Sequence, residues 1–160
     1  MSTRSGDLDP GAVLYLLMEK GLNPSEVNEL LNKKSGLLGV SGTSPDMEDL
    51  LGKCEKDGRA MEAVDLFCYQ AKKAIGAFAA ALSGLDTLVF TGGMGTNSPA
   101  IRERICGGMG FLGIRVDDGL NRVNSPVISG KDSPVTVRVI KTNEELMIAR
   151  QTYDIMSVSP

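Results

Sequence analysis

Thr91-Gly92-Gly93-Met94-Gly95-Thr96-Asn97-Ser98-Pro99 lies between a continuous apolar run, Leu85 to Phe90, and a helical pattern that begins at Pro99. Glycines at such a junction let the main chain approach a ligand, and free N–H groups with the helix dipole favour an anion. The spacing is neither the dinucleotide GxGxxG fingerprint nor a Walker loop, because no Gly-Lys-Ser/Thr follows. The competing use is a tight strand-to-helix turn, but the glycines at 92, 93 and 95 exceed what a turn needs, so ligand contact is predicted. Arg4, in Thr3-Arg4-Ser5-Gly6-Asp7, has a guanidinium suited to clamping a phosphoryl oxygen or to a solvated ion pair. Glu144 and Glu145 open the last helical pattern just after a strand end. Carboxylates there can hold Mg2+ or complement a helix dipole, and Asp46, Glu48 and Asp49 can play the same helix-start role.

Composition narrows the chemistry further. The 160 residues include no His, so no Ser-His or Cys-His couple and no imidazole ligand exists in this chain. Acid–base work falls to carboxylates, Lys, Tyr or a partner chain. Lys+Arg number 17 against 20 Asp+Glu, a net charge of -3, which is the wrong sign for binding nucleic acid through its backbone. Cys54, Cys68 and Cys106 are too far apart for a CxxC metal site and read as core residues of a protein in a reducing compartment. The first residues lack a signal-peptide profile and no apolar run approaches a membrane span, so a soluble cytoplasmic protein with no membrane partner is expected.

The elements that must position these residues follow from periodicity. A helix is predicted from Pro10 with Asp9 as N-cap and Gly21 as its stop, then a second with Asn23 capping, Pro24 at its first position and Glu26 in capping-box register. Ser35 to Pro45 is too rich in Gly and Ser for either period and is predicted as an ordered or ligand-contacting loop. Ser44 or Pro45 then opens a short helix through Leu51. From Gly58 to Leu82 the residues Met61, Val64, Phe67, Cys68, Ala71, Ile75, Phe78, Ala79 and Leu82 repeat at three and four, the longest helical signal present, and Ser83-Gly84 ends the helix. Leu85 to Phe90 is predicted as a strand covered on both faces, Pro99 to Gly107 as a helix, and Val135 to Ile140 as a strand. Ile114–Val116 and Val127–Ile128 are further candidates for short strands. Thr142 or Asn143 caps a last helix with Leu146, Ile148, Ala149 and Tyr153 inward. Two firm strands are too few for a doubly covered sheet, so the chain is expected to be part of a larger α/β domain.

Several stretches together resemble the C-terminal portion of the acetate kinase (acetokinase) family, which sits in the acetate and sugar kinase, Hsp70 and actin superfamily. They are Thr3-Arg4-Ser5-Gly6-Asp7-Leu8-Asp9-Pro10, Asn32 to Gly42, Val89-Phe90-Thr91-Gly92-Gly93 and Thr142-Asn143-Glu144-Glu145-Leu146, in family order from Thr3 to about Thr152. The resemblance implies a partial ribonuclease H-like, actin-like ATPase domain over 1–160, helix-rich, with a small mixed or parallel sheet that lacks its N-terminal strands. It implies transfer of the γ-phosphoryl of ATP to acetate, giving ADP and acetyl phosphate, with Mg2+ bridging the phosphates. By resemblance Arg4 matches the catalytic arginine and Glu144 the Mg2+ ligand. The nucleotide contacts fall on Gly93, Met94, Gly95, Thr96 and Asn97, on Ile101 beside adenine, and on a second turn, Asp46-Met47-Glu48. Glu48 stands where the family usually has Arg, and Thr96 where it usually has Glu. The family's substrate-binding domain, its phosphate-binding His-Leu-Gly-Asn-Gly loop and its catalytic histidine precede the position of Thr3. The chain is therefore expected to be inactive alone and to act as a homodimer or with a complementing N-terminal kinase segment. A non-catalytic association module, built on the long helix from Met61 to Leu82, is the alternative.

Overall fold

The computed structural model describes residues 2–158 and divides into two compact units, one up to Gly76 and one from Ala77. The first unit is helical. Helix α1, Pro10–Met18, starts at Asp9, whose carboxylate accepts the Gly11 N–H at 2.6 Å. Helix α2, Pro24–Lys33, opens with the capping box that its sequence encodes: Asn23 accepts from Ser25 and Glu26, and Glu26 accepts the Asn23 N–H.

Residues 35–45 depart from the predicted loop. Gly36–Ser41 forms a short helix, α3, with Leu37 and Ser41 buried. The hydroxyl of Ser41 organises the turn from 42 to 44: it donates to the Ser44 carbonyl and accepts the N–H groups of Thr43 and Ser44. Buried polar groups satisfied locally in this way let a Gly/Ser-rich stretch be ordered without a periodic apolar pattern. Helix α4, Met47–Lys53, begins two or three residues later than expected, with Asp46 as its N-cap. Helix α5, Gly58–Ala81, matches its prediction in extent. Ala60, Ala63, Val64, Cys68 and Ala79 are buried, whereas Met61, Phe78 and Leu82 of the apolar repeat are 45%, 68% and 71% exposed. Small residues, which an apolar count ignores, form part of the stripe.

In the second unit the strands β1, Thr87–Phe90, and β2, Thr136–Val139, pair in parallel, with Leu88 opposite Val137 and Phe90 opposite Val139. Isolated antiparallel bridges link Val127 to Arg138 and Val116 to Ser129, at the further strand candidates. The sheet is not covered on both faces as predicted. Phe90 and Val137 are buried, but Val89 on the opposite face is 44% exposed. Between the strands lie α6 (Gly92–Asn97), α7 (Pro99–Cys106), a 3-10 turn at Gly110–Leu112 and α8 (Asp118–Arg122). Ile101, Ile105, Met109, Ile114, Ile128, Val135 and Val137 form this unit's apolar core. Helix α9, Glu144–Val158, starts at Asn143, whose side chain accepts the Leu146 N–H. The predicted inward face is open: Leu146, Ile148 and Tyr153 are 44%, 64% and 72% exposed. No described helix is long and apolar enough to cross a membrane, and the three cysteines form no disulfide.

Candidate functional site

In the first unit Arg4 sits on an extended strip stitched to the junction of α2 and α3. Ser5 N–H donates to the Leu31 carbonyl, Ser35 N–H to Thr3, Leu38 N–H to Ser2, and the Thr3 hydroxyl to Asn32. These bonds fix the backbone on both sides of Arg4. Its side chain is exposed and makes no ion pair among the described residues, so the solvated pair with Asp7 or Asp9 does not form. Beside the strip, Ser5, Ser35, Gly36, Leu66 and Phe67 are among the residues lining a cavity of about 400 Å3.

Asp46, Met47 and Glu48 fall at the start of α4. The Asp46 carboxylate accepts the Glu48 and Asp49 N–H groups at 2.9 and 3.0 Å, and Met47 is buried. Both side chains are thus engaged in seating the helix, which leaves the exposed Glu48 as the member of the turn available to a ligand. One residue on, the Lys53 ammonium and then the Ser44 hydroxyl hold the Asp49 carboxyl below its ordinary range.

In the second unit the predicted loop from Gly93 to Asn97 is a short helix, α6. Gly92 has φ 71°, a left-handed conformation that glycine adopts at little cost. A Cβ on Gly95 would lie 3.3 Å from the Phe90 carbonyl carbon, so close strand packing accounts for that glycine. Around Gly93 a Cβ would meet nothing within 4 Å, which makes it a glycine with open space on its face. Thr96 is buried and its hydroxyl donates to the Gly92 carbonyl at 2.7 Å, whereas Met94 and Asn97 are less enclosed. Ile101 is 1% exposed and belongs to the core behind the loop.

Thr96, Asn97, Asn124, Val139, Arg138 and Lys141 line part of a cleft of about 680 Å3 at the C-terminal end of β2. Its charged lining residues are both cations. Under it lies a residue that sequence reasoning missed. Arg102 is fully buried: Nε donates to Asn121 Oδ1 at 2.8 Å, Nη1 to the Gly95 carbonyl at 2.8 Å, and Nη2 to the Asn121 carbonyl at 2.8 Å and Asn124 Oδ1 at 2.6 Å. Asn121 Nδ2 donates onward to the Pro99 carbonyl. The signal was present, since Arg102 is one turn before Cys106 in the stripe formed by Ile101, Ile105 and Cys106.

Glu144 and Glu145 are exposed in the first turn of α9. Among the described residues no three Cys, Asp or Glu side chains converge into a metal cage. A single exposed carboxylate such as Glu144 nonetheless suits Mg2+, which proteins hold through one or two carboxylates while waters and substrate phosphates complete its shell. The predicted site residues therefore fall into two groups, Arg4 with 46–48 in the first unit and 93–97, Ile101 and Glu144 in the second.

Comparison with known proteins gives a consistent result. The profile of the acetokinase family matches residues 1–150. The acetate kinase of Symbiobacterium thermophilum is 49% identical over 159 residues, covering 98% of this chain and 40% of the relative. That of Clostridium acetobutylicum is 50% identical over 161 residues, with 98% and 40% coverage. Among solved structures, Porphyromonas gingivalis acetate kinase superposes with a TM-score of 0.89 at 45% identity, over 98% of this chain and 40% of that one. A propionate kinase from Francisella tularensis gives 0.87 at 37% identity, over 94% and 39%. The chain thus spans about 40% of the length of the curated relatives it matches.

Proposed function

The chain belongs to the acetokinase family, and from that premise we propose that it is the C-terminal portion of an acetate kinase and supplies much of the nucleotide and metal side of the reaction ATP + acetate to ADP + acetyl phosphate. The observation that carries this reading is Arg4: an exposed guanidinium with no ion pair among the described residues, on a backbone fixed at both sides by hydrogen bonds. Phosphoryl transfer depends mostly on positioning and charge stabilisation, and an open fork of donors on a rigid strip suits both. Arg4 stabilises the transferring phosphoryl group. Glu144 is the residue that would hold Mg2+, and the ion when bound neutralises charge on the phosphates. In the first unit Glu48 presents a nucleotide-facing position seated by Asp46 and Met47, and in the second Gly93, Met94 and Asn97 present another, with Gly95, Thr96 and Ile101 behind them. The two-stranded sheet, with Val89 bare on one face, supports a ribonuclease H-like, actin-like domain whose remaining strands lie in another segment. The same reading makes the protein cytoplasmic.

The decisive experiment assays acetyl phosphate formation by the 160-residue chain alone and coexpressed with an N-terminal kinase segment. Activity only in the second case is expected, and turnover by the chain alone near that of a complete kinase would overturn the claim. In the complemented enzyme, Glu144→Gln should raise the Mg2+ concentration needed for half-maximal rate by about tenfold, the size of a lost ligand charge. An unchanged metal response counts against the assignment. Glu48→Arg should tighten ATP binding by about threefold to tenfold, because it replaces an anion near the polyphosphate by a cation. Calorimetry reads that change, and an unaltered affinity means that the turn does not face the nucleotide.

A second reading, a non-catalytic association module, is favoured by the exposed Met61, Phe78 and Leu82 of α5 and its C-terminal end. A stable dimer by sedimentation, together with no heat on titrating ATP and Mg2+, is its expected signature.

A further inference from the structure

Arg102 is a permanently charged group sealed from water, yet its acceptors on Gly95, Asn121 and Asn124 are all neutral. Taking a guanidinium out of water is costly, and an apolar residue of similar volume usually packs there at no loss. Burial pulls the Arg102 pKa below its ordinary value, opposed by the Cys106 thiol one turn along α7. Asn124 adds a second cost. Its φ of 52° is in the left-handed region, and in that conformation its side-chain oxygen meets Nη2. One arm of the guanidinium reaches the loop at Gly95, and another reaches Asn124, which also lines the cleft with Arg138 and Lys141.

We propose that Arg102 is the positioning residue of the glycine loop, and that its unneutralised charge is matched by the phosphate groups of a nucleotide bound in the adjacent cleft. This rests on the nucleotide reading above and extends it to a residue buried beneath the site. The guanidinium does two separable things: its hydrogen bonds hold Gly95 in place, and its charge adds to that of Arg138 and Lys141 in favouring an anion.

Two variants of the full chain separate these roles, with hydrogen exchange reading the loop and calorimetry with MgADP reading the ligand. Arg102→Met removes both, so amide exchange over 92–98 should rise by about tenfold or more while 87–90 and 136–139 stay protected, and MgADP affinity should fall by about tenfold. Asn124→Asp keeps the hydrogen bond but sets a carboxylate against Nη2. The loop should stay protected while MgADP affinity falls by about tenfold and its salt dependence weakens. Loop exchange unchanged in Arg102→Met overturns the positioning role. Affinity unchanged in Asn124→Asp overturns the charge role, and that variant still tests it if Arg102→Met does not fold. No MgADP binding by the unmodified chain overturns the nucleotide reading and the charge role together, and exchange alone then judges the hold on Gly95.

Discussion

In an enzyme assembled from this chain and an N-terminal kinase segment, Arg4→Ala is expected to lower kcat by about a thousandfold or more while the KM for ATP changes by less than about threefold, the pattern of a contact made chiefly in the transition state. The size follows from the chemistry. A fork of donors that meets developing charge on a phosphoryl group makes paired, charge-assisted hydrogen bonds, and no neighbouring cation is placed to replace it on the strip from Ser2 to Ser5. Arg4→Lys should recover little, because an ammonium retains the charge and loses the planar pair of donors. Thermal stability should be unmoved in both variants, since the side chain is exposed and forms no ion pair among the described residues. Steady-state kinetics with both variants checks the prediction. A kcat loss under about tenfold in Arg4→Ala would assign the residue a peripheral role.

The parts of this structure that were legible in the sequence are those coded within a few residues. Asp9-Pro10 and Asn23-Pro24 with Glu26 announce α1 and α2 because cap, first position and capping box all fall inside one turn. Ser83-Gly84 ends α5 through positive φ at both residues. Segments without such punctuation were misread. Residues 36–41 and 92–97 are helical although rich in glycine, because Leu37 and Ser41 in one and Thr96 in the other are held in the interior of their units. Tertiary burial overrides weak propensity there. The predicted inward face of α9 is open for a related reason. Periodicity shows which residues align, whereas the side that is covered depends on elements far away in the chain.

For the candidate site the same division holds. Residue types at Arg4, Gly93 and Glu144 could be picked out from sequence, but the supporting layer could not. That Asp46 caps α4, that Thr96 closes its own turn, and that Gly95 is required by Phe90 are facts of packing. Each moves a residue from a predicted ligand contact to a part of the packing beneath the candidate site. Arg102 is the extreme case, since its partners lie 7, 19 and 22 residues away.

That supporting layer gives the second large effect, on stability. Leu50 is fully buried in α4, and with Met47 it seats the helix whose first turn carries Glu48. Leu50→Ala removes buried methyl groups and leaves a cavity, which destabilises by about 2–5 kcal/mol. Against a total stability of about 5–15 kcal/mol that loss is large. With about 2–4 °C per kcal/mol for a chain of this size, Tm should fall by about 4–20 °C. Leu51→Ala, at a half-buried neighbour, should move Tm much less, and Asp46→Ala by the equivalent of about 1 kcal/mol, the usual value of an N-cap. Calorimetric melting of the three variants orders them. Because Leu50 fixes α4 from beneath, Leu50→Ala should also erase the gain in ATP affinity expected from Glu48→Arg, although residue 50 itself contacts no solvent. Additive effects of the two substitutions on affinity would instead mean that the 46–48 turn keeps its shape without the core contact.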